Sequence, residues 1–167
     1  MRVATLTLLC GLLVAAGIWA SAEAGDQAPD FTLRDIKKKN VRLSEVYKEG
    51  PVLLTFWSTW CKNCPDEMKH FQRFYDEYKE QGLTVLAVSI DNSKTVSKVR
   101  PWIQARRLDY PVLYDTDNKV KRIYHVGPVP HSFVIDQKGQ IVYSHVGYRP
   151  GDEKTYEKEI LKLLKNK

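Results

Sequence analysis

A central mixed β-sheet flanked by helices is the α/β fold that this sequence predicts, and three patterns carry the expectation. Two apolar runs, Val52–Trp57 and Leu83–Ile90, bracket a stretch with helical periodicity, which is the order of a parallel strand-helix-strand unit. Two strand-like segments, His131–Asp136 and Gln140–Val146, are joined by Gln137-Lys138-Gly139, with Gly139 as the turn residue, and so read as an antiparallel hairpin. An amphipathic segment, Asp152–Lys165, closes the chain with Tyr156, Ile160, Leu161 and Leu164 on one face.

The remaining elements follow in chain order. Phe31–Leu33 and Asn40–Leu43 form a short hairpin around Arg34–Lys39, and Ser44 is the expected cap of a brief helix ending near Gly50. Val52–Trp57 is a buried strand. Cys61–Gln81 carries Met68, Phe71, Phe74, Tyr75 and Tyr78 at helical spacing and stops at Gly82, a residue that accepts the left-handed conformation of a helix end. Leu83–Ile90, rich in Val and Leu, is a central strand parallel to the first. Ser93–Arg107 is a helical segment disturbed by Pro101, Pro111–Tyr114 a short strand, and Asn118–Tyr124 a short helix. The order is β-β-α-β-α-β-α-β-α-β-β-α, with no repeats, linkers or low-complexity segments.

Length and composition allow one domain. The chain has 167 residues, 43% of them apolar and 28% charged, which suits a packed core and not a disordered chain. The first segment stands apart: Arg2 precedes an apolar run from Val3 to Ala20, and Ala20-Ser21-Ala22-Glu23-Ala24 offers two small-x-small cleavage sites. Residues 1–24 are therefore expected to be an export signal, and residues 25–167 the folded domain. The run is also long enough to span a bilayer, so an uncleaved N-terminal anchor is the alternative, and either outcome places the domain outside the cytoplasm. The net charge of +6 comes from scattered Lys and Arg, including Lys37-Lys38-Lys39 and Arg106-Arg107, without the aromatic interleaving of a nucleic-acid surface. No nucleic-acid partner is expected, a monomer is the default, and only a weak preference for acidic partners or anionic membranes remains.

The chemistry is concentrated in Cys61-Lys62-Asn63-Cys64, between the strand and the helix. At a helix start, unpaired backbone N–H groups and the positive end of the helix dipole favour thiolate over thiol, so Cys61 becomes a nucleophile near neutral pH. Cys64, three residues on, lies on the same face of the first turn and is placed to resolve a mixed disulfide formed at Cys61. Trp57 and Trp60 flank the pair and form an expected aromatic wall that shields Cys64 while leaving Cys61 reachable. Cys10 is an apolar filler of the leader, so removal of that segment leaves Cys61 and Cys64 as the only cysteines. A structural disulfide across so small a loop constrains the unfolded chain little. A zinc site needs two further ligands, and His125 and His131 lie about sixty residues away where a zinc finger has roughly a dozen. Glu67 shares a helix face with Phe71, Phe74 and Tyr78. That placement leaves two readings open: an inward carboxyl that exchanges a proton with Cys64, or a surface glutamate favoured by the helix dipole.

The stretch Phe56-Trp57-Ser58-Thr59-Trp60-Cys61-Lys62-Asn63-Cys64 resembles the active-site signature of the thioredoxin superfamily. Ala28-Pro29-Asp30-Phe31-Thr32-Leu33, Glu67 three residues past Cys64, and Val129-Pro130-His131-Ser132-Phe133-Val134-Ile135-Asp136 make the chain similar to its TlpA/ResA-like extracytoplasmic branch, over about residues 25–165. The resemblance implies a thioredoxin fold with the N-terminal hairpin and an inserted strand-helix element near Ser93–Tyr114. It also implies a thiol-disulfide oxidoreductase, often a reductase of cytochrome c apoproteins, fed by a membrane electron donor and needing no cofactor or metal beyond its own dithiol.

The resemblance carries residue roles as well. It implies a cis peptide bond before Pro130, with the Val129 carbonyl turned toward a substrate backbone, and it favours the proton-handling role for Glu67. Thr55 agrees with this, since it occupies the strand position where thioredoxin has a buried aspartate, leaving another acid to do that job. Trp60, Val129, Pro130 and His131 are the expected substrate contacts. Two departures stand out. Lys62-Asn63 lacks the proline usual between such cysteines and puts a cation near Cys61. His131 replaces a small hydroxyl residue, and either tunes the thiolate, contacts substrate or is simply exposed. His70 and His145 are expected to be solvated or packed. A disulfide oxidant or isomerase of the same fold is the nearest alternative, followed by a thiol peroxidase, whose upstream proline is absent here, and a Cu(I)-binding module using Cys61, Cys64 and a histidine.

Overall fold

The computed structural model describes residues 22–165. The expected leader and its alternative as an anchor lie almost wholly outside these residues. No helix among the described residues is long and apolar enough to cross a membrane. Of residues 22–24, expected to leave with the leader, Ala22 is buried and Glu23 and Ala24 are exposed; just downstream Gly25 N–H donates to the Ile141 carbonyl at 2.8 Å.

The elements are β1 (Thr32–Asp35), β2 (Asn40–Arg42), α1 (Leu43–Glu49), β3 (Val52–Trp57), α2 (Cys64–Tyr78), β4 (Thr84–Ser89), α3 (Val99–Ala105), β5 (Val112–Tyr114), α4 (Lys119–Ile123), β6 (His131–Ile135), β7 (Ile141–Val146) and α5 (Asp152–Lys165). They appear in the expected order. The strands form one mixed sheet in the order β2-β1-β5-β4-β3-β6-β7. β3 and β4 pair in parallel, as do β4 and β5, whereas β6 joins β3 and β7 antiparallel. β4, placed fourth of seven, is the central strand that its apolar sequence predicts.

Each sheet face has its own core. On one, Leu53, Trp57, Val85, Ala87 and Val134 meet Met68, Phe71 and Phe74 of α2, Val99 and Ile103 of α3, and Tyr156 and Ile160 of α5. On the other, Leu54, Phe56, Val88, Phe133 and Ile135 meet Leu43 of α1, Val120 of α4 and Tyr124. Because both faces are covered, all six residues of β3 are buried, and its sequence reads as continuously apolar instead of alternating.

Three boundaries differ from expectation, each for a local reason. The second helix starts at Cys64 and not Cys61, because Cys61 N–H closes a turn onto the Ser58 carbonyl (3.2 Å) and Asn63 takes the N-cap position. Pro65 then falls in the first turn, where its missing N–H costs nothing. Ser44 lies inside α1 and does not cap it; Asp30, fourteen residues upstream, accepts Ser44 N–H (2.9 Å) and Oγ (3.0 Å) and pairs with Arg42 Nε (2.8 Å). The segment around Pro101 splits into a 3-10 turn, Val96–Lys98, and α3, which places the proline in the first turn of a new helix.

Gly82 ends the α2 region in the left-handed conformation, φ 104°, as its sequence position predicts. Gly50 has a different reason to be glycine. A Cβ there would collide with the Gly82 carbonyl oxygen, because the start of β3 passes directly over the turn that leads into β4. Gly50→Ala is therefore expected to destabilise the fold by roughly 1–3 kcal/mol, checked by chemical denaturation.

Candidate active site

Parallel strands β3 and β4 end at the same edge of the sheet, and the chain leaves β3 there through Ser58-Thr59-Trp60 into the dithiol. Cys61 and Cys64 form a disulfide with Cα atoms 5.5 Å apart. Cys61 keeps 7% of its surface exposed and Cys64 none, so Cys61 is the sulfur that a partner can reach. Cys64 N–H, at the first residue of α2, donates to Cys61 Sγ at 3.2 Å. The helix-start donor thus reaches Cys61 even though that residue precedes the helix.

The two tryptophans divide the expected wall between them. Trp57 is fully buried in the same core cluster as both cysteines and packs on Trp102 at 4.5 Å, which Arg106 covers from 3.8 Å. Trp60 does not shield Cys64. It is 63% exposed and stands out from the loop next to Cys61.

Asp91, just past β4, holds this loop. It accepts Thr59 N–H at 2.9 Å, Thr59 Oγ1 at 2.6 Å and Ser89 Oγ at 2.9 Å, while itself 1% exposed. Sequence reasoning missed it, because the partners are thirty-two residues apart and meet only when β3 and β4 pair.

Glu67 points inward and is fully buried. Its carboxyl meets three hydroxyls: Thr55 Oγ1 at 3.1 Å from Oε2, Tyr156 at 3.1 Å from Oε1, and Ser132 Oγ at 3.1 and 3.0 Å from Oε1 and Oε2. Burial pushes its pKa up from 4.5 to about 8, although all three hydroxyls pull the other way. The surface reading of Glu67 is therefore excluded. Thr55, at the strand position where thioredoxin has a buried aspartate, is one of its donors, while Ser132 and Tyr156 lie 65 and 89 residues away and carried no sequence signal.

The Val129–Pro130 bond is cis. His131 follows it but is not exposed: it retains 3% of its surface and stacks on Phe133 at 4.3 Å, with Nε2 3.1 Å from Ser144 Oγ. Alternation along β6 puts this side chain on the sheet face opposite Ser132 and Glu67. Burial, aided by the charge of His145, lowers its pKa from 6.5 to about 4. Lys62 is exposed, His70 packs near Tyr148, and His145 Nε2 lies 3.0 Å from Asp152 Oδ2. Among the described residues, no group of three or more His, Cys, Asp or Glu is placed to hold a metal ion.

The two shifted groups give opposite pH dependences. Glu67, with its pKa raised in the fold, contributes stability fully below pH 4.5 and loses it as pH rises toward about 8. His131, with its pKa lowered, contributes above pH 6.5 and loses it as pH falls toward about 4. Between about 4.5 and 6.5 the two slopes cancel, so their sum predicts a plateau there with decline on both sides. Thermal melts of the oxidised protein across pH 4–9 check this, and Glu67→Gln should flatten the alkaline decline.

Comparison with known proteins agrees with this geometry. Residues 24–144 match the AhpC/TSA family. The thiol-disulfide oxidoreductase ResA of Bacillus cereus is 35% identical over 152 residues, covering 87% of this chain and 86% of that one. Among solved structures, a protein described as the thiol:disulfide interchange protein DsbE from Chlorobium tepidum superposes with a TM-score of 0.79 at 32% identity, covering 86% of this chain and 99% of its own. The thioredoxin domain of a thiol-disulfide oxidoreductase from Bacteroides vulgatus gives 0.72 at 26% identity, covering 84% and 99%. With a disulfide across the C-x-x-C, a thioredoxin fold around it and relatives of this kind along most of its length, the chain belongs to the AhpC/TSA family and is a ResA-like thiol-disulfide oxidoreductase.

Proposed function

We propose that this oxidoreductase works outside the cytoplasm as a reductase of protein disulfides, with cytochrome c apoproteins as the favoured substrate class and a membrane protein as electron donor. The observation that carries the reading is the asymmetry of the site: Cys61 keeps a small exposed surface, while Cys64 is fully buried on the helix face that also carries a buried carboxyl. The Cys61–Cys64 pair is the only redox group this chemistry needs.

The reaction runs in two exchanges. Cys61 thiolate attacks one sulfur of the substrate disulfide, and the other leaves with its electron pair and takes a proton from water. Cys64 then attacks Cys61. Its thiol proton passes to the Glu67 carboxylate as the Cys61–Cys64 bond forms, and the Cys61–substrate bond breaks with its electron pair on the substrate sulfur. Two electrons have moved to the substrate, and the donor restores the dithiol by the reverse steps, with protonated Glu67 returning its proton to the departing Cys64. A carboxyl with a pKa of about 8 serves both directions near neutral pH. Substrate chain lies along the cis-proline loop, where the Val129 carbonyl accepts a backbone N–H beside Pro130. Trp60 supplies an exposed apolar contact. His131 shapes this loop through its backbone, since its side chain faces the other core.

The reduction potential of the pair separates reductase from oxidant. A value near or below about −250 mV at pH 7 is expected, and one near about −120 mV overturns the reading in favour of an oxidant. Two variants check the roles. Cys64→Ala should accumulate the mixed disulfide at Cys61, seen by mass spectrometry. Glu67→Gln should slow resolution at pH 8 on the order of 100-fold.

A further inference from the structure

The three hydroxyls around Glu67 come from three separate elements: Thr55 from β3, Ser132 from β6 and Tyr156 from α5. We propose that Tyr156 and Ser132 are positioning residues that fix the Glu67 carboxyl in both its protonation states and set the pH at which it exchanges a proton with Cys64. This rests on the role proposed above for Glu67.

Hydrogen accounting supports the assignment. With Glu67 ionised, its two oxygens accept from all three hydroxyls, so the buried charge has no unmatched side. With Glu67 protonated, its own O–H can donate to Ser132 Oγ, and the serine proton swings onto Thr55 Oγ1, 2.8 Å away and the shortest contact in the group. The two aliphatic hydroxyls rotate freely enough to serve both states.

Tyr156 is the part that does not rotate. Its ring is completely buried, edge-on to Phe71 at 5.2 Å and to Tyr143 at 5.3 Å, which holds the phenol oxygen beside Glu67 Oε1, where it donates at 3.1 Å. A fixed donor lowers the cost of the carboxylate without being consumed by the exchange. Besides Cys64, three residues before Glu67 on α2, the other ionisable groups around this centre are Asp152 on α5, Tyr143 and His145 on β7, and Tyr110 ahead of β5. Asp152 acts on Glu67 in the opposite sense, favouring the protonated form.

The test uses the full-length oxidised protein, in which neither cysteine titrates, labelled with ¹³C at the glutamate carboxyls. The Glu67 resonance is identified by its loss in Glu67→Gln, and its midpoint is followed with pH. Tyr156→Phe keeps the ring and removes only the donor, so the midpoint should rise by about one pH unit, and Ser132→Ala should raise it in the same direction. Tyr143→Phe removes a neighbouring phenol that does not touch Glu67, and should leave the midpoint in place. Stopped-flow resolution of a mixed disulfide at Cys61 should show its pH inflection displaced by the same amount in Tyr156→Phe. A midpoint unmoved in Tyr156→Phe overturns the proposal; where that variant does not fold, an unmoved midpoint in Ser132→Ala overturns it instead. A kinetic inflection that survives in Glu67→Gln overturns the proton-exchange role of Glu67, while the carboxyl titration still reports on the hydroxyls.

Discussion

The register between β3 and β6 is the constraint on which the site depends. Thr55 lies opposite Ser132 and Phe56 opposite His131, so the two hydroxyls that meet Glu67 are cross-strand neighbours on one sheet face. A slip of one residue would turn Ser132 to the other core and place His131 or Phe133 against the carboxyl. The same register sets cis-Pro130 one residue before the first paired position of β6, level with Trp57 at the end of β3, where the chain departs for Cys61. On the other edge of β3, parallel pairing sets Trp57 opposite Ser89, which brings Asp91 within reach of Thr59. The loops on both sides of the dithiol are therefore located by the two edges of one strand.

Burying an acid under that strand works against stability. A carboxyl removed from water loses its solvation, and three hydroxyls recover only part of it, so the charged form stays unfavourable until the solution is mildly alkaline. A purely structural position would hold an apolar residue, as the neighbouring Met68, Phe71 and Phe74 do. The complete set of partners keeps the group from being an orphaned polar atom in either protonation state. Such an arrangement suits a group that must change its charge without moving.

The sequence made the frame legible wherever pattern was local. The apolar run of β3, the helical spacing of α2, the stop at Gly82 and the amphipathic α5 follow from nearest-neighbour periodicity, and the order of elements followed from these. Glu67 was legible only in part: its helix face left inward and surface readings open, the family resemblance favoured the inward one, and nothing nearby in the chain said what it would meet. Ser132, Tyr156 and Asp91 were invisible because each acts through a partner 32 to 89 residues distant. Asp30 was visible as part of a motif, yet its job, capping α1 across fourteen residues where Ser44 was expected, is a tertiary one. The surface reading of His131 failed for the same reason, since strand alternation decides which core it enters only once β6 has found its neighbours.

These placements also narrow what tunes the dithiol. Lys62 and His131 are the two departures from the superfamily pattern, and both were candidates to act on the Cys61 sulfur. His131 is buried on the far face of the sheet among Phe133 and Ser144, so it has no side-chain line to the cysteines. Lys62 is exposed, where its charge is screened by solvent and its flexible side chain has no fixed geometry. The interactions that are fixed in place are the Cys64 N–H on Cys61 Sγ and, on the buried side of α2, the carboxyl of Glu67. One belongs to the backbone at a helix start and the other to a side chain locked by three elements. What is fixed against the Cys61 sulfur thus belongs to the backbone at a helix start and not to a side chain between the cysteines.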